Sequence, residues 1–93
     1  MNLSISEKRR EVRRPVAGTV RVRCSNPEPR EIQGQLIDVS PSGFRMAHDC
    51  LSLAPGQMVE FSRVEAAGKA QVMWNRILED RVETGFFVAD GGA

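Results

Sequence analysis

Short runs of alternating polarity, each bounded by glycine, proline or a polar turn, are the feature that most restricts how this chain folds. In residues 16–24, Val20, Val22 and Cys24 are apolar, and the intervening Arg21 and Arg23 are charged. Successive residues of a β-strand point to opposite faces of the sheet, so this alternation predicts a strand with one buried face.

Five further strands are predicted in the same way. The second covers residues 31–39, with a β-bulge between Leu36 and Ile37 because the apolar positions change phase there. Turns are expected at residues 40–43, where Gly43 can take a positive φ, and at 55–56, 66–68 and 79–80, with one short turn at 51–53.

The apolar faces of the last four strands contain Phe44 and Met46, then Val59 and Phe61, then Ala70, Val72 and Trp74, and finally Val82, Phe86 and Val88. Six short strands predict an all-β fold, a small six-stranded antiparallel β-barrel, since closure removes exposed sheet edges. Alternation places Trp74 in its core.

The length of 93 residues fits one domain. No apolar run approaches the ~18 residues of a membrane span, and residues 1–6 are too short and polar for a secretory signal, so we expect a cytoplasmic protein without membrane insertion. A metal site is not expected, because His48, Cys24 and Cys50 are too few and too far apart in sequence. An enzyme is not expected either, since Asp49 would point away from a pair formed by His48 and Cys50.

The net charge of +1 conceals an asymmetry along the chain. Residues 1–23 carry seven basic and two acidic side chains, and the remainder carries six basic and ten acidic ones. Guanidinium groups form paired hydrogen bonds to phosphate and stack on flat rings. Arg9 and Arg13 lie up to ~13 Å apart in an extended arm, so they could flank a ligand with more than one phosphate. A solvated basic tail is the alternative interpretation.

Residues 38–43 read DVSPSG and form a second candidate motif. The carboxylate of Asp38 matches the N1–H and N2–H donors of guanine, Ser40 adds a hydroxyl, and Gly43 allows the backbone to approach a ring. The alternative is a polar turn that only closes a hairpin. Together with Arg9 and Arg13, this motif indicates a site for a guanine nucleotide.

The sequence resembles the PilZ domain, the bacterial receptor domain for cyclic di-GMP, whose signature is RxxxR followed by (D/N)xSxxG. Residues 9–13 read RREVR, and Arg13 and Asp38 are 25 positions apart. The resemblance covers residues 7–89. It implies a disordered N-terminus (1–6), a PilZ domain (7–90) with a flexible ligand-clamping arm (7–15) and a barrel (16–89), and a tail (91–93).

The resemblance also implies the binding residues. Arg9 and Arg13 would bind phosphates and guanine, and Arg10 would assist them. Asp38 and Ser40 would recognise the guanine edge, and Gly43 would hold the turn. Arg10 and Arg14 also satisfy RxxxR, but the position of Pro15 favours Arg9 and Arg13. Further contributions are expected from Lys8, Arg14, Val39, Ser42 and Trp74, and Lys8 would help to neutralise two stacked ligand molecules.

The resemblance further implies that the ligand is cyclic di-GMP, and no other cofactor is expected. Ordering of the arm would signal to an unidentified downstream protein. The chain is expected to be a monomer or a homodimer. One rival function is a small basic-armed barrel that binds single-stranded nucleic acid. A DNA or RNA partner is not expected, however, because the chain has few aromatic residues and a low net charge. The other rival is a PilZ-like adaptor that binds only protein.

Overall fold

The computed structural model describes residues 12–25 and 28–91, which form seven β-strands and no helix. The strands are β1 (Arg14–Pro15), β2 (Thr19–Cys24), β3 (Arg30–Ser40), β4 (Gly43–His48), β5 (Met58–Arg63), β6 (Ala66–Ile77) and β7 (Val82–Gly91). Neighbouring strands pair antiparallel in the order β1-β3-β2-β5-β6-β7-β4, and pairing of β3 with β4 closes a six-stranded barrel. This confirms the predicted all-β barrel, to which β1 is an addition.

The chain enters the barrel through two short segments instead of one long strand. The predicted strand over residues 16–24 begins only at Thr19, because Gly18 adopts a φ of 141° and breaks the extended run. Before it, β1 pairs with β3, Arg14 opposite Val39 and Pro15 opposite Asp38. The carboxyl end of the predicted arm therefore lies on the barrel, whereas Lys8, Arg9 and Arg10 fall outside the described residues.

The predicted bulge in β3 is confirmed by a shift of the β3–β4 register between Leu36 and Asp38. Leu36 and Val39 both belong to the hydrophobic core although they are three positions apart. Regular alternation would have placed them on opposite faces. The bulge thus directs Asp38 away from the core, toward the side of the barrel where arginines approach it.

Two predictions for β6 are wrong. The turn expected at residues 66–68 lies instead at residues 64–65, where Glu65 takes a positive φ of 72°, and residues 66–68 belong to the strand. In addition, the pairing of β6 with β7 shifts between Val72 and Trp74. Because of this second bulge, Trp74 leaves the face of Val72 and is 39% exposed instead of lying in the core.

The core is centred on Phe44 of β4, which is 1% exposed. Its ring centroid lies 4.7 Å from that of Phe86 and 5.0 Å from that of Phe61, so that three strands meet at one aromatic cluster. Burial of each such side chain contributes about 1.5–3 kcal/mol. The cluster anchors β4 and β7, the strands that carry the site described below.

A chain of buried hydrogen bonds joins the loop after β4 to β6 and β7. Nδ1 of His48 accepts from the backbone N–H of Cys50 (3.0 Å), so Nε2 carries the proton and donates to Oγ1 of Thr84 (2.7 Å). Thr84 donates to Oδ1 of Asn75 (2.7 Å), whose amide donates to the carbonyl of Leu53 (2.8 Å). Burial lowers the pKa of His48, which is consistent with a neutral ring in this chain.

Within the described ranges, no three His, Cys, Asp or Glu side chains gather closely enough to hold a metal ion. The same part of the chain contains no helix long and apolar enough to cross a membrane. Cys24 and Cys50 are both buried, and neither forms a disulfide.

Candidate ligand-binding site

A cavity of about 270 Å³ lies where the β3–β4 turn meets β6 and β7. Its wall combines two cations, polar turn residues and an apolar side contributed by three strands. The lining residues are Arg13, Ser40, Ser42, Gly43, Phe44, Arg45, Met73, Trp74, Gly85, Phe86 and Phe87.

Asp38 is not among the residues that line this cavity, but it is bonded to two arginines that do. Nε of Arg45 donates to both carboxylate oxygens (2.9 and 3.0 Å), and its Nη2 donates to Oδ2. Arg13 donates to Oδ1 from Nε (3.1 Å) and approaches it with Nη2 (3.0 Å). The hydrogen bonds from Arg45, followed by those from Arg13, lower the pKa of Asp38 against the opposing effect of burial. The carboxylate is therefore firmly ionised although Asp38 is only 6% exposed.

The hydroxyl of Ser40 is an unusual feature of the cavity. Its Oγ is buried and has no hydrogen-bond partner among the described residues. A buried polar group without a partner costs about 1–3 kcal/mol, so native structures rarely retain one unless something else satisfies it. Because Ser40 lines the cavity, a polar group bound there would be well placed to supply the missing partner.

Gly43 is required by close packing of the backbone. A Cβ at this position would lie 1.9 Å from the carbonyl oxygen of Phe86, a distance that no side chain tolerates. The expectation of a positive φ is wrong, since the glycines with positive φ in the described part of the chain are Gly18, Gly56 and Gly68. Gly43 instead lets β4 and β7 pair closely beside the cavity.

The indole of Trp74 lies directly against Gly85 on the neighbouring strand. A Cβ at residue 85 would lie 2.4 Å from both Cε2 and Nε1 of the indole, so glycine leaves room for the ring on the cavity wall. Met73 and Phe87, which are 51% and 46% exposed, extend this apolar side toward solvent.

A comparison with protein-family models matches the PilZ domain over residues 7–89. The chain belongs to the PilZ domain family. PilZ domains are receptor domains for cyclic di-GMP, and the match covers nearly the whole chain. No curated protein sequence matches it.

The fold brings together part of the PilZ motif predicted from the sequence. Arg13, Ser40, Ser42, Gly43 and Trp74 all line one cavity, although Arg13 and Trp74 are 61 positions apart. Asp38 joins them through its bond to Arg13.

Other predicted residues of the PilZ site are placed differently. Val39 lies in the hydrophobic core because of the β3 bulge, so its side chain does not reach the cavity. Arg14 is exposed on β1 and is not among the described residues that line the cavity. Lys8, Arg9 and Arg10 lie outside the described residues.

Four further residues line the cavity without having been predicted from the sequence: Arg45, Met73, Gly85 and Phe87. Arg45 was visible only as the polar residue between Phe44 and Met46, and the significance of Gly85 depends on its pairing with Trp74. These contacts are set by strand register, which local sequence does not reveal.

A larger depression of about 810 Å³ lies at the amino end of β3, far along that strand from the motif residues. It contains Arg23, Arg30 and Lys69 together with Glu31 and Glu60, and Arg23 already bonds Glu60 at 2.9 Å. None of the PilZ motif residues that the structure describes lines it, so its size alone does not make it the candidate site.

Proposed function

We propose that this PilZ domain binds cyclic di-GMP at the cavity beside the β3–β4 turn. The observation that carries the proposal is the convergence of Arg13, from the first motif, with Asp38 and Ser40, from the second, beside the exposed indole of Trp74. This set offers cations for phosphate, a carboxylate for the guanine edge and an aromatic ring for stacking.

Ligand binding requires an exchange of partners at Asp38. A carboxylate offers about four acceptor positions, and the two arginines occupy them in this structure. We propose that Arg13 transfers from Oδ1 of Asp38 to a phosphate or to the O6 and N7 atoms of guanine. Asp38 then accepts the N1–H and N2–H groups of the base. An arginine-to-carboxylate bond is replaced by bonds of the same charge-assisted kind, so the exchange carries a small net cost.

The size of the cavity favours one base rather than the whole dinucleotide. A volume of about 270 Å³ lies just below the ~300–1,000 Å³ typical of sites that enclose a drug-sized molecule. We propose that one guanine stacks on Trp74 within it, while Arg9, Arg10 and Lys8 cover the remainder of the ligand. A second, stacked ligand molecule would lie on this outer side.

The signalling step in this proposal is closure of the arm over residues 7–15 on the ligand, with its carboxyl end already paired to β3 through β1. Closure would create a new surface for a downstream protein, as the movement of other switch segments does. The domain would act in the bacterial cytoplasm as a monomer or a homodimer, and no chemical step is required of it.

Calorimetric titration of cyclic di-GMP into the wild type and three variants tests the proposal. We expect saturable binding, and losses of about tenfold or more in Arg13→Ala, Asp38→Ala and Trp74→Ala, since each removes a charge-assisted bond or a stacking surface. Arg23→Ala is the matched control because it breaks an exposed arginine–glutamate pair on another face of the barrel. Cyclic di-AMP serves as the control for base recognition.

Absence of saturable binding by the folded wild type would refute the proposal. So would equal losses in Arg23→Ala and Arg13→Ala. Steeply salt-dependent binding of single-stranded DNA, without a response to cyclic di-GMP, would support the rival nucleic-acid function instead.

A further inference from the structure

Asp38 and Arg45 form a cross-strand pair in the barrel. They lie directly opposite each other in the register of β3 and β4, immediately after the β3 bulge. Arg45 contacts both carboxylate oxygens and is also one of the residues that line the cavity. The two side chains thus present an acceptor and a donor next to each other at one edge of the site.

The two arginines that bind Asp38 are not equivalent. Arg45 is held in the middle of a barrel strand that pairs on both sides, with β3 and with β7. Arg13 precedes the two-residue strand β1 and reaches only Oδ1. When a ligand draws one arginine away, Arg13 is therefore the one expected to move. Oδ1 then becomes available to the base, and Arg45 keeps its bonds to Oδ2.

Arg45 retains donors that can face a ligand. A guanidinium carries five N–H groups, and in this structure Asp38 engages Nε and Nη2. Nη1 carries two further N–H groups and forms no hydrogen bond with any of the described residues. An acceptor beside Asp38 could therefore be bound by Arg45 without breaking the pair.

The Watson–Crick edge of guanine matches this arrangement. It presents N2–H and N1–H as donors and, next to them, O6 as an acceptor. We infer that Arg45 is a specificity-determining residue, which donates to O6 of the guanine whose N1–H and N2–H groups are accepted by Asp38. This inference rests on the proposed function, since it assigns the base contacts of the same cavity.

Adenine presents the opposite pattern at the corresponding positions. Its N6 amino group is a donor and its N1 is an acceptor, so a purine of this kind would direct N6–H toward Arg45 and N1 toward the carboxylate. Both contacts would be unfavourable, because donor would face donor and acceptor would face acceptor. Arg45 would thus reject adenine as well as bind guanine.

The test compares cyclic di-GMP and cyclic di-AMP, which differ in their bases but share the phosphate ring. The affinities of both dinucleotides are measured for the wild type, Arg45→Met and Arg45→Lys. Binding of cyclic di-AMP is measured by its competition with cyclic di-GMP. Arg23→Met is the matched control, because Arg23 bonds the carboxylate of Glu60 at 2.9 Å and neither residue lines the cavity. Circular dichroism and thermal unfolding establish that each variant is folded.

We expect Arg45→Met to weaken cyclic di-GMP binding by about tenfold or more and to leave cyclic di-AMP binding unchanged or stronger, so that the preference for guanine collapses. Arg45→Lys keeps a charged donor and should recover part of that preference, and Arg23→Met should keep all of it. Arg45→Lys also carries the test if Arg45→Met fails to fold.

An unchanged preference for guanine in folded Arg45→Met would overturn the inference, and so would equal losses for the two dinucleotides. These results would leave the proposed function intact if the wild type still binds cyclic di-GMP. Failure of the wild type to bind would refute the proposed function and this inference together.

Discussion

Replacing Gly85 with alanine tests whether the position of Trp74 matters for binding. The new Cβ would lie 2.4 Å from two atoms of the indole, and ordinary contact begins near 3.4 Å, so the ring must move by about 1 Å. Overpacking in a closed core costs about 1–3 kcal/mol, but Trp74 is 39% exposed and can swing toward solvent. The barrel should therefore stay folded with little loss of stability.

The effect of Gly85→Ala on affinity should be larger than its effect on folding. Stacking on an aromatic side chain contributes about 1–3 kcal/mol per base, which corresponds to about 5- to 150-fold in the dissociation constant. Calorimetry gives that constant, and fluorescence reports the displacement of the ring, because Trp74 is the only tryptophan of the chain. Gly85→Ala combined with Trp74→Ala should lose no more affinity than Trp74→Ala alone. Wild-type affinity in a variant whose emission spectrum has shifted would refute the argument.

Three further predictions concern stability. Burial lowers the pKa of His48, so the unfolded chain takes up a proton on this side chain at a higher pH than the folded chain does. Urea titrations should therefore show full stability above about pH 6.5 and a loss of stability below it. That loss should be absent in His48→Gln. Phe44→Ala, at the centre of the aromatic cluster, should lower the free energy of unfolding by about 3–5 kcal/mol, and a loss below 1 kcal/mol would contradict the described core. Thr84→Val leaves His48 and Asn75 without their shared partner and should cost about 1–3 kcal/mol in the same assay, whereas an unchanged midpoint would show that the hydrogen-bond chain contributes nothing.

Much of the barrel could be predicted from the sequence because polarity alternates wherever a strand has one buried face. The β3 bulge was also predictable, since the phase of the apolar residues changes between Leu36 and Ile37. The turn at residues 64–65 was not, because Glu65 adopts a conformation that sequence patterns associate with glycine.

The composition of the site was only partly predictable. Residues 72–75 read as a regular alternation, and the bulge that exposes Trp74 becomes visible only through the pairing of β6 with β7. Arg45 escaped notice for a similar reason, because its position opposite Asp38 depends on the register after the β3 bulge. Motif spacing identified the residues near the turn, whereas contacts between distant strands required the three-dimensional fold.

If cyclic di-GMP occupies the cavity beside Trp74, the indole N–H resonance of this single tryptophan will report its binding. Titration of the folded protein followed by NMR should shift that resonance to saturation, together with the amides of Asp38, Ser40 and Gly85. The amides of β2 near Arg23, on a different part of the barrel, should move little. An unmoved indole resonance in excess ligand, or shifts confined to the depression around Arg30 and Lys69, would contradict the account.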